Sequence, residues 1–444
     1  MKSITLLFLA PFFLFAQTRI AIVGGGMAGV SALYHLQEYD KEAKITLFEK
    51  EAVLGGNATT VAIKNTKGEI CTVDAGPQYF ADQAWEDYLD FIEKTIGKEE
   101  IKYESVGGSL VIRQVYEENA IIATPLNGKM RGEKLGNLLK FKKLNEEAHR
   151  LYKEADKHSG LTIEAWVASL NFDEDYKQQI VYPFLGSSLG VSVHDIRKMS
   201  AVDIVKLFAF RKPKMSDKFH IMQEGMGTII QKIGASVKNP NVTIHTSALV
   251  HDVLLKENTY LVTYHKNGKS VTEEFDFVIM AVHANTAAKI LASDLAFKSI
   301  SNTLKTFPYF EAKIVIHNDD SFVHHKKPAF LNIFTDKEHN IVSSTMNLDL
   351  ISPRLKGIYK SWMNTEDAEK VRKQNKLLYE TVFYHPMITV EFVENLKILH
   401  HQIDNFAPNF CIMGGWSEGL ETQNSAVLSG KRALEIYKRF KQQH

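Results

Sequence analysis

The stretch Arg19-Ile-Ala-Ile-Val-Gly24-Gly-Gly26-Met27-Ala28-Gly29 limits what this chain can fold into more than any other part of it. Ile20 to Val23 is an apolar run suited to a buried parallel strand, and Met27 to Tyr39 reads as the helix that follows. Ile45 to Phe48 forms a second apolar run and ends in Glu49, 20 positions beyond Gly29. Strand, glycine turn, helix, strand and terminal acid together make a dinucleotide-binding fingerprint. Gly24 permits the tight turn, Gly26 lets backbone approach a diphosphate, and Gly29 lets the helix close on the strands. Met27 and Ala28 open the helix whose N–H groups and positive dipole end would hold the anion. Glu49, followed by Lys50, can accept hydrogen bonds from an adenosine ribose, and a carboxylate there disfavours the extra phosphate of NADP.

The residues after Glu49 separate one cofactor class from another. The chain continues Leu54-Gly55-Gly56-Asn57 and then Val73-Asp74-Ala-Gly76-Pro77-Gln78. Read physically, Gly55 and Gly56 could also end a short turn. With their neighbours they resemble the FAD-dependent amine oxidase and phytoene desaturase superfamily, in which a second glycine motif contacts the diphosphate and an Asp-x-Gly segment brings backbone under the flavin. Where that superfamily often has Arg, Lys or His, Asn57 offers hydrogen bonds without charge.

Two later regions carry the same resemblance. Phe219 to Ile230 resembles the superfamily's second glycine turn and helix, followed by Val242 to Val250, with Val250 at the position whose backbone meets adenine. Phe275 to Ala284 resembles the strand that returns to the cofactor; His283, at its end, is given no catalytic role. Asn267-Gly268 reads as a hairpin turn. Near the C-terminus, Asn409 to Ser417 reads as a buried strand ending in Gly414-Gly415, and Thr422 to Ala433 as a helix. The resemblance places this junction, with Gly415, Asn424 and Ser425, beside the ribityl chain and pyrimidine edge of flavin. Many relatives have Glu-Gly where this chain has Asn424-Ser425. A bacterial branch of FAD/NAD-binding amine-oxidase-like proteins, often associated with cyclopropane fatty acid synthesis, is the nearest match. It shares patterns like His317-Asn-Asp319 with Asn332 and Tyr384-His385-Pro386, but not that branch's closing sequence.

The resemblance implies an α/β fold: a Rossmann-like FAD-binding domain of the glutathione-reductase type built from residues 17–90, 215–290 and 405–444. Residues 91–214 and 291–404 would form an inserted α+β substrate domain. In these inserts, residues 134–158 have helical spacing with Gly160 as a stop, Ala312 to Ile316 and Ile341 to Met346 read as strands, and Thr365 to Tyr384 as a charged helix. The implied chemistry is hydride transfer from an amine or an activated C–H bond to FAD, with oxygen or another electron acceptor. The alternatives are a desaturase or isomerase acting on a lipid or polyprenoid, and a non-catalytic flavoprotein that binds a protein or lipid partner. No catalytic side chain is assigned. Lys313 invites only a loose comparison with a lysine that orders water near flavin.

Composition narrows the remaining classes. With 53 basic and 52 acidic side chains the formal charge is +1, which gives nucleic-acid binding no support. Cys71 and Cys411 are the only cysteines, too few for a disulfide scaffold and expected as separate buried thiols. The histidines show no metal-ligand spacing, so no metal is expected. Residues 1–16 carry Lys2, an apolar run from Ile4 to Phe15, and small or apolar residues before Gln17, the pattern of a signal peptide cleaved after Ala16. Export to the periplasm or beyond is the expectation. An uncleaved anchor at a membrane surface and a packed cytoplasmic extension are the alternatives. No twin-arginine pair precedes the run.

Overall fold

A computed structural model describes residues 17–80, 85–123, 133–209, 218–326 and 328–443, so the leader lies outside the described residues. The apolar runs around the fingerprint become a five-stranded parallel sheet. Its order is Phe410–Ile412, Phe277–Met280, Arg19–Val23, Lys44–Phe48 and Val242–His245. The strands Phe277–Met280 and Phe410–Ile412, and Ile20 to Val23 between them and the edge, are buried and read as continuous apolar runs rather than as an alternation, whereas the edge strand Val242–His245 is partly exposed. One face packs against the helices Met27–Tyr39, Met226–Ser236 and Gln423–Gln443 through Ile20, Ile22, Leu33, Ile230 and Tyr437. The other meets a three-stranded antiparallel meander, Leu249–Lys256, Thr259–Lys266 and Lys269–Phe275, where the Phe48 ring lies 4.7 Å from Tyr264 and 5.9 Å from Phe275.

A second sheet has seven strands in the order Leu377–Pro386, Tyr309–His317, Tyr359–Met363, Ile341–Asn347, Leu331–Thr335, Leu110–Gln114 and Ile122–Ala123. Only the pair Leu331–Thr335 and Leu110–Gln114 runs parallel. The hairpin Thr60–Lys64 with Ile70–Asp74 packs on this sheet through Ile63, Cys71 and Val73, against Ile316 and Leu348. The hairpin starts just after the second glycine motif, so it carries the parallel sheet's loops to the second sheet.

Several boundaries differ from the expectations. The segment Val242 to Val250 spans two elements: a strand ends at His245, Ser247 takes a left-handed φ of 50°, and Leu249 begins the meander. The charged segment after Thr365 is helical only to Lys373. Asn375, with φ 57°, reverses the chain into the edge strand Leu377–Pro386, where exposed Glu380, Val382 and Tyr384 alternate with half-buried Tyr379, Thr381 and Phe383. That period of two belongs to a strand with one covered face. The helix expected over 134–158 spans Glu133–Lys153, with a short 3-10 turn Ala155–Lys157 after it. Asn267 and Gly268, with φ 50° and 73°, make the hairpin turn as read. Cys71 and Cys411 are both buried and free.

Candidate functional site

The two glycine motifs meet. Gly24 donates its N–H to the Phe48 carbonyl at 2.8 Å, and a side chain at Gly29 would land on the Gly24 carbonyl oxygen. Gly55 N–H donates to Gly25 O at 3.0 Å, and Gly26 and Gly55 lie side by side in a parallel bridge. Gly56, at φ 58°, faces Gly26 so closely that an added Cβ would stand 3.1 Å from the Gly26 Cα. The helix beginning at Met27 and Ala28, both buried, has no side-chain cap and no acid in its first turn. Its positive end is therefore left for an anion.

Glu49 closes the far side of this cradle. Its buried carboxylate accepts from Gly25 N–H at 2.7 Å and Glu51 N–H at 2.8 Å. A carboxylate offers about four acceptor positions, so capacity remains for a ribose diol. Lys50 points away, 3.3 Å from Glu51 and mostly exposed. Ala248 N–H donates to the Glu49 carbonyl at 2.8 Å, which brings buried Val250 to the same edge.

The Asp-x-Gly segment lies beneath the second glycine loop. A side chain at Gly76 would fall on the Asn57 carbonyl, so only glycine fits there; half-buried Pro77 follows. Gln78 is buried, and its Oε1 has no partner. A buried acceptor left unpaired costs about 1–3 kcal/mol unless a ligand or water satisfies it. Asp74, 1% exposed, accepts from Thr60 O–H at 2.5 Å and from Met226 N–H at 3.0 Å to each oxygen, capping the helix Met226–Ser236.

Opposite stands Lys360, a buried lysine on the strand Tyr359–Met363, whose ammonium donates to the Gly76 carbonyl. Burial pushes Lys360 down to about 8, against the pull of the Asp74 charge. Burial likewise pushes Asp74 up to about 6, against Thr60, Met226 N–H and Lys360. Sequence reasoning missed this lysine, because one lysine in a strand normally marks a solvent face. Lys313 is elsewhere, bonded to Thr365 Oγ1 at 2.9 Å.

At the C-terminal junction, Thr422 N–H donates to Ser425 Oγ at 2.8 Å and Ser425 N–H to Thr422 Oγ1 at 3.0 Å, a reciprocal cap for the helix Gln423–Gln443. Gly415 packs over it, with room for a Cβ only 3.1 Å from Ser425 Oγ. Asn424 Oδ1 accepts from Tyr88 N–H at 2.9 Å, tying this helix to Glu86–Ile96. Beside it, Gln423 Oε1 is buried without a partner.

Just before that helix, Glu421 stands between two histidines. Its Oε1 is 3.6 Å from His283 Nε2 and its Oε2 3.2 Å from His385 Nδ1. Asn57 Nδ2 is 3.3 Å from the same His283 Nε2, linking this group to the second glycine loop. His317, Asp319 and Asn332 lie apart in buried bonds: His317 to Ser361 at 2.7 Å, Asp319 to Lys376 at 2.9 Å, and Asn332 Oδ1 accepting from His324 N–H at 3.0 Å.

Known proteins share this architecture. Residues 22–92 match the NAD(P)-binding Rossmann-like domain family. Coproporphyrinogen III oxidase of Staphylococcus aureus is 20% identical over 311 residues, 63% of this chain and 63% of that protein, so the match spans less than two thirds of the relative's length. Among solved structures, cyclohexylamine oxidase from Brevibacterium oxydans superposes with a TM-score of 0.65 at 12% identity, over 96% of this chain and 100% of that one. The fold is therefore the one seen in cyclohexylamine oxidase. A fatty acid isomerase from P. acnes shares this fold, with a TM-score of 0.64 at 13% identity over 95% of this chain and 98% of that one. The glycine cradle, the free helix end and the unpaired Gln78 and Gln423 acceptors fit a cofactor that carries a diphosphate and polar ring edges.

Proposed function

We propose that the chain is an FAD-dependent oxidoreductase that removes a hydride from an amine or an activated C–H bond. The observation that carries the reading is the apposition of Gly24–Gly29 and Gly55–Gly56 at an uncapped helix end, with Glu49 alongside. Bound FAD would supply the two-electron chemistry. The glycine loops, Met27 and Ala28 N–H groups and Asn57 would hold its diphosphate, Glu49 and Val250 its adenosine, and Gly76 to Gln78, Gly415, Asn424 and Ser425 its flavin end. Residues 17–90, 215–290 and 405–444 are assigned to the cofactor domain and residues 91–214 and 291–404 to the substrate domain. The origins of the two large sheets support this division.

The test is chemical. Purified protein is expected to be yellow and to release FAD on acid treatment; folded protein that neither contains nor takes up FAD would sink the reading. Anaerobic bleaching across amines, unsaturated lipids, polyprenoids and coproporphyrinogen III then identifies the donor, with oxygen or another acceptor completing turnover. A lipid desaturase or isomerase is the second reading, favoured by a fold likeness to the fatty acid isomerase about equal to that to the amine oxidase. A non-catalytic flavoprotein would bind FAD and be bleached by none of these donors.

Export is also proposed, from Lys2 and the apolar run Ile4 to Phe15. Among the described residues no helix is long and apolar enough to cross a membrane. Fractionated cells are expected to yield a periplasmic protein beginning at Gln17. Intact Met1 in cytosol or membrane would overturn this and favour a cytoplasmic or membrane-surface enzyme.

A further inference from the structure

We infer that Lys360 is a positioning residue for the cofactor: from the second sheet it holds the Gly76 carbonyl, and through it the segment Gly76 to Gln78 that is assigned to the flavin end. This deepens the oxidoreductase reading and rests on it. The lysine stands in an apolar interface. Directly opposite it on the neighbouring strands are Ile316 and Met346, which share its face of the sheet. Both belong to the cluster in which the hairpin Thr60–Lys64 with Ile70–Asp74 packs on that sheet through Ile63, Cys71 and Val73. Methionine or leucine would fill such a place without taking a charge out of water, and a buried charge pair is often no more stabilising than well-packed apolar side chains. Packing therefore does not account for a lysine that is only 5% exposed. What it supplies that an apolar side chain cannot is a donor aimed at backbone.

The second glycine loop grips this backbone first. Ala75 N–H donates to the Thr59 carbonyl at 2.8 Å, and Gly76 stands so close to the Asn57 carbonyl that no side chain fits between them. Lys360 adds the grip of the second sheet, from 284 positions along the chain. Asp74 is the charge that acts on the ammonium, and it is itself placed by Thr60 O–H and Met226 N–H. Burial lowers the proton affinity of Lys360 and raises that of Asp74, each against the other's charge. Cys71 in the hairpin and Tyr88, which feels the Asp74 charge, are pushed up by burial and stay neutral. The holding state, ammonium with carboxylate, therefore spans a narrower pH range than an exposed pair would. On the alkaline side it ends below the ordinary 10.5 of a lysine.

Full-length protein is titrated with FAD, with binding read from the quenching of flavin fluorescence. Asp74→Asn with Lys360→Met is the informative variant, because it removes both charges together and asparagine can still cap the helix Met226–Ser236. Its FAD affinity at pH 7 is expected to be lower than that of wild type by about tenfold or more, the worth of a charge-assisted hydrogen bond. Wild-type affinity is expected to fall with rising pH before 10.5, as the ammonium gives up its proton, and the double variant to lack that fall. Titration of FAD itself is common to both proteins. A lysine that serves stability alone would leave the folded double variant binding FAD like wild type, with a coincident pH profile, and either result overturns the inference. If the variant does not fold, the wild-type profile decides, taken where circular dichroism shows the fold intact, and a flat one overturns it.

In cofactor-free protein, amide exchange at Ala75, Gly76 and Gln78 is expected to quicken in the double variant while that of Ile20 to Val23 does not. Exchange unchanged at the first three overturns the inference as well. Wild type that binds no FAD at any pH overturns the cofactor reading instead, and the exchange measurement still reports on Lys360.

Discussion

Lys360→Met is expected to lower stability by about 3–5 kcal/mol, because removing one partner leaves the buried Asp74 carboxylate without its counter-charge. It also deprives the Gly76 carbonyl of its ammonium donor. Urea denaturation of the single variants and of Asp74→Asn with Lys360→Met tests this. The double variant is expected to recover part of the loss, whereas additive losses would mean that the two charges do not interact. The pair also leaves a signature in pH. With Lys360 held down to about 8, the folded state binds fewer protons than the unfolded chain from there to the ordinary 10.5, so this group's contribution to stability rises with pH across that window. With Asp74 pushed up to about 6 from 3.8, the folded state binds more protons, and its contribution falls as pH rises through that lower window. Wild type is expected to show a shallow dip between the two, and Lys360→Met to lose its alkaline side.

Gly29→Ala is the second large effect. Alanine in a helix interior is ordinarily favoured over glycine by about 1 kcal/mol. Here the methyl group would meet the Gly24 carbonyl oxygen, which is backbone and cannot swing aside. Overpacking of this kind costs about 1–3 kcal/mol, and the displaced turn should abolish cofactor uptake. Gly136→Ala is the control, since that helical glycine has open space around it. Thermal melts are expected to fall for Gly29→Ala and to hold or rise for Gly136→Ala; equal shifts would remove the steric argument.

The contrast between these two predictions marks what the sequence could express. Gly24, Gly26, Gly29 and Glu49 were legible because one local unit dictates all four, and local spacing survives in a linear string. The bounds of the helix Met27–Tyr39 and the turn Asn267-Gly268 were legible for the same reason. The strand Leu377–Pro386 was not, because the charges of the preceding helix run into it and its period of two is obvious only once one face is covered. Lys360 and Glu421 were hidden more deeply. Each owes its surroundings to residues far away in sequence, Lys360 to Asp74 and Gly76, the latter 284 positions off, and Glu421 to His283. Asn424 Oδ1 holds the Tyr88 N–H, a bond across 336 positions that local spacing does not express, whereas the reciprocal cap between Thr422 and Ser425 follows from their spacing of three.

The helix Gln423–Gln443 lies on the helix Met27–Tyr39. Ser31 O–H donates to the Val427 carbonyl at 3.1 Å, and Tyr437 O–H to Asp40 at 2.7 Å. The outermost strand of the parallel sheet, Phe410–Ile412, comes equally late. A ribosome must therefore add 396 residues after Ser31 before its partner Val427 exists, and contacts so distant in sequence form slowly. The nascent nucleotide half waits unfinished through most of its synthesis. A chain in that condition is still threadable, so the late closure is compatible with the export proposed above.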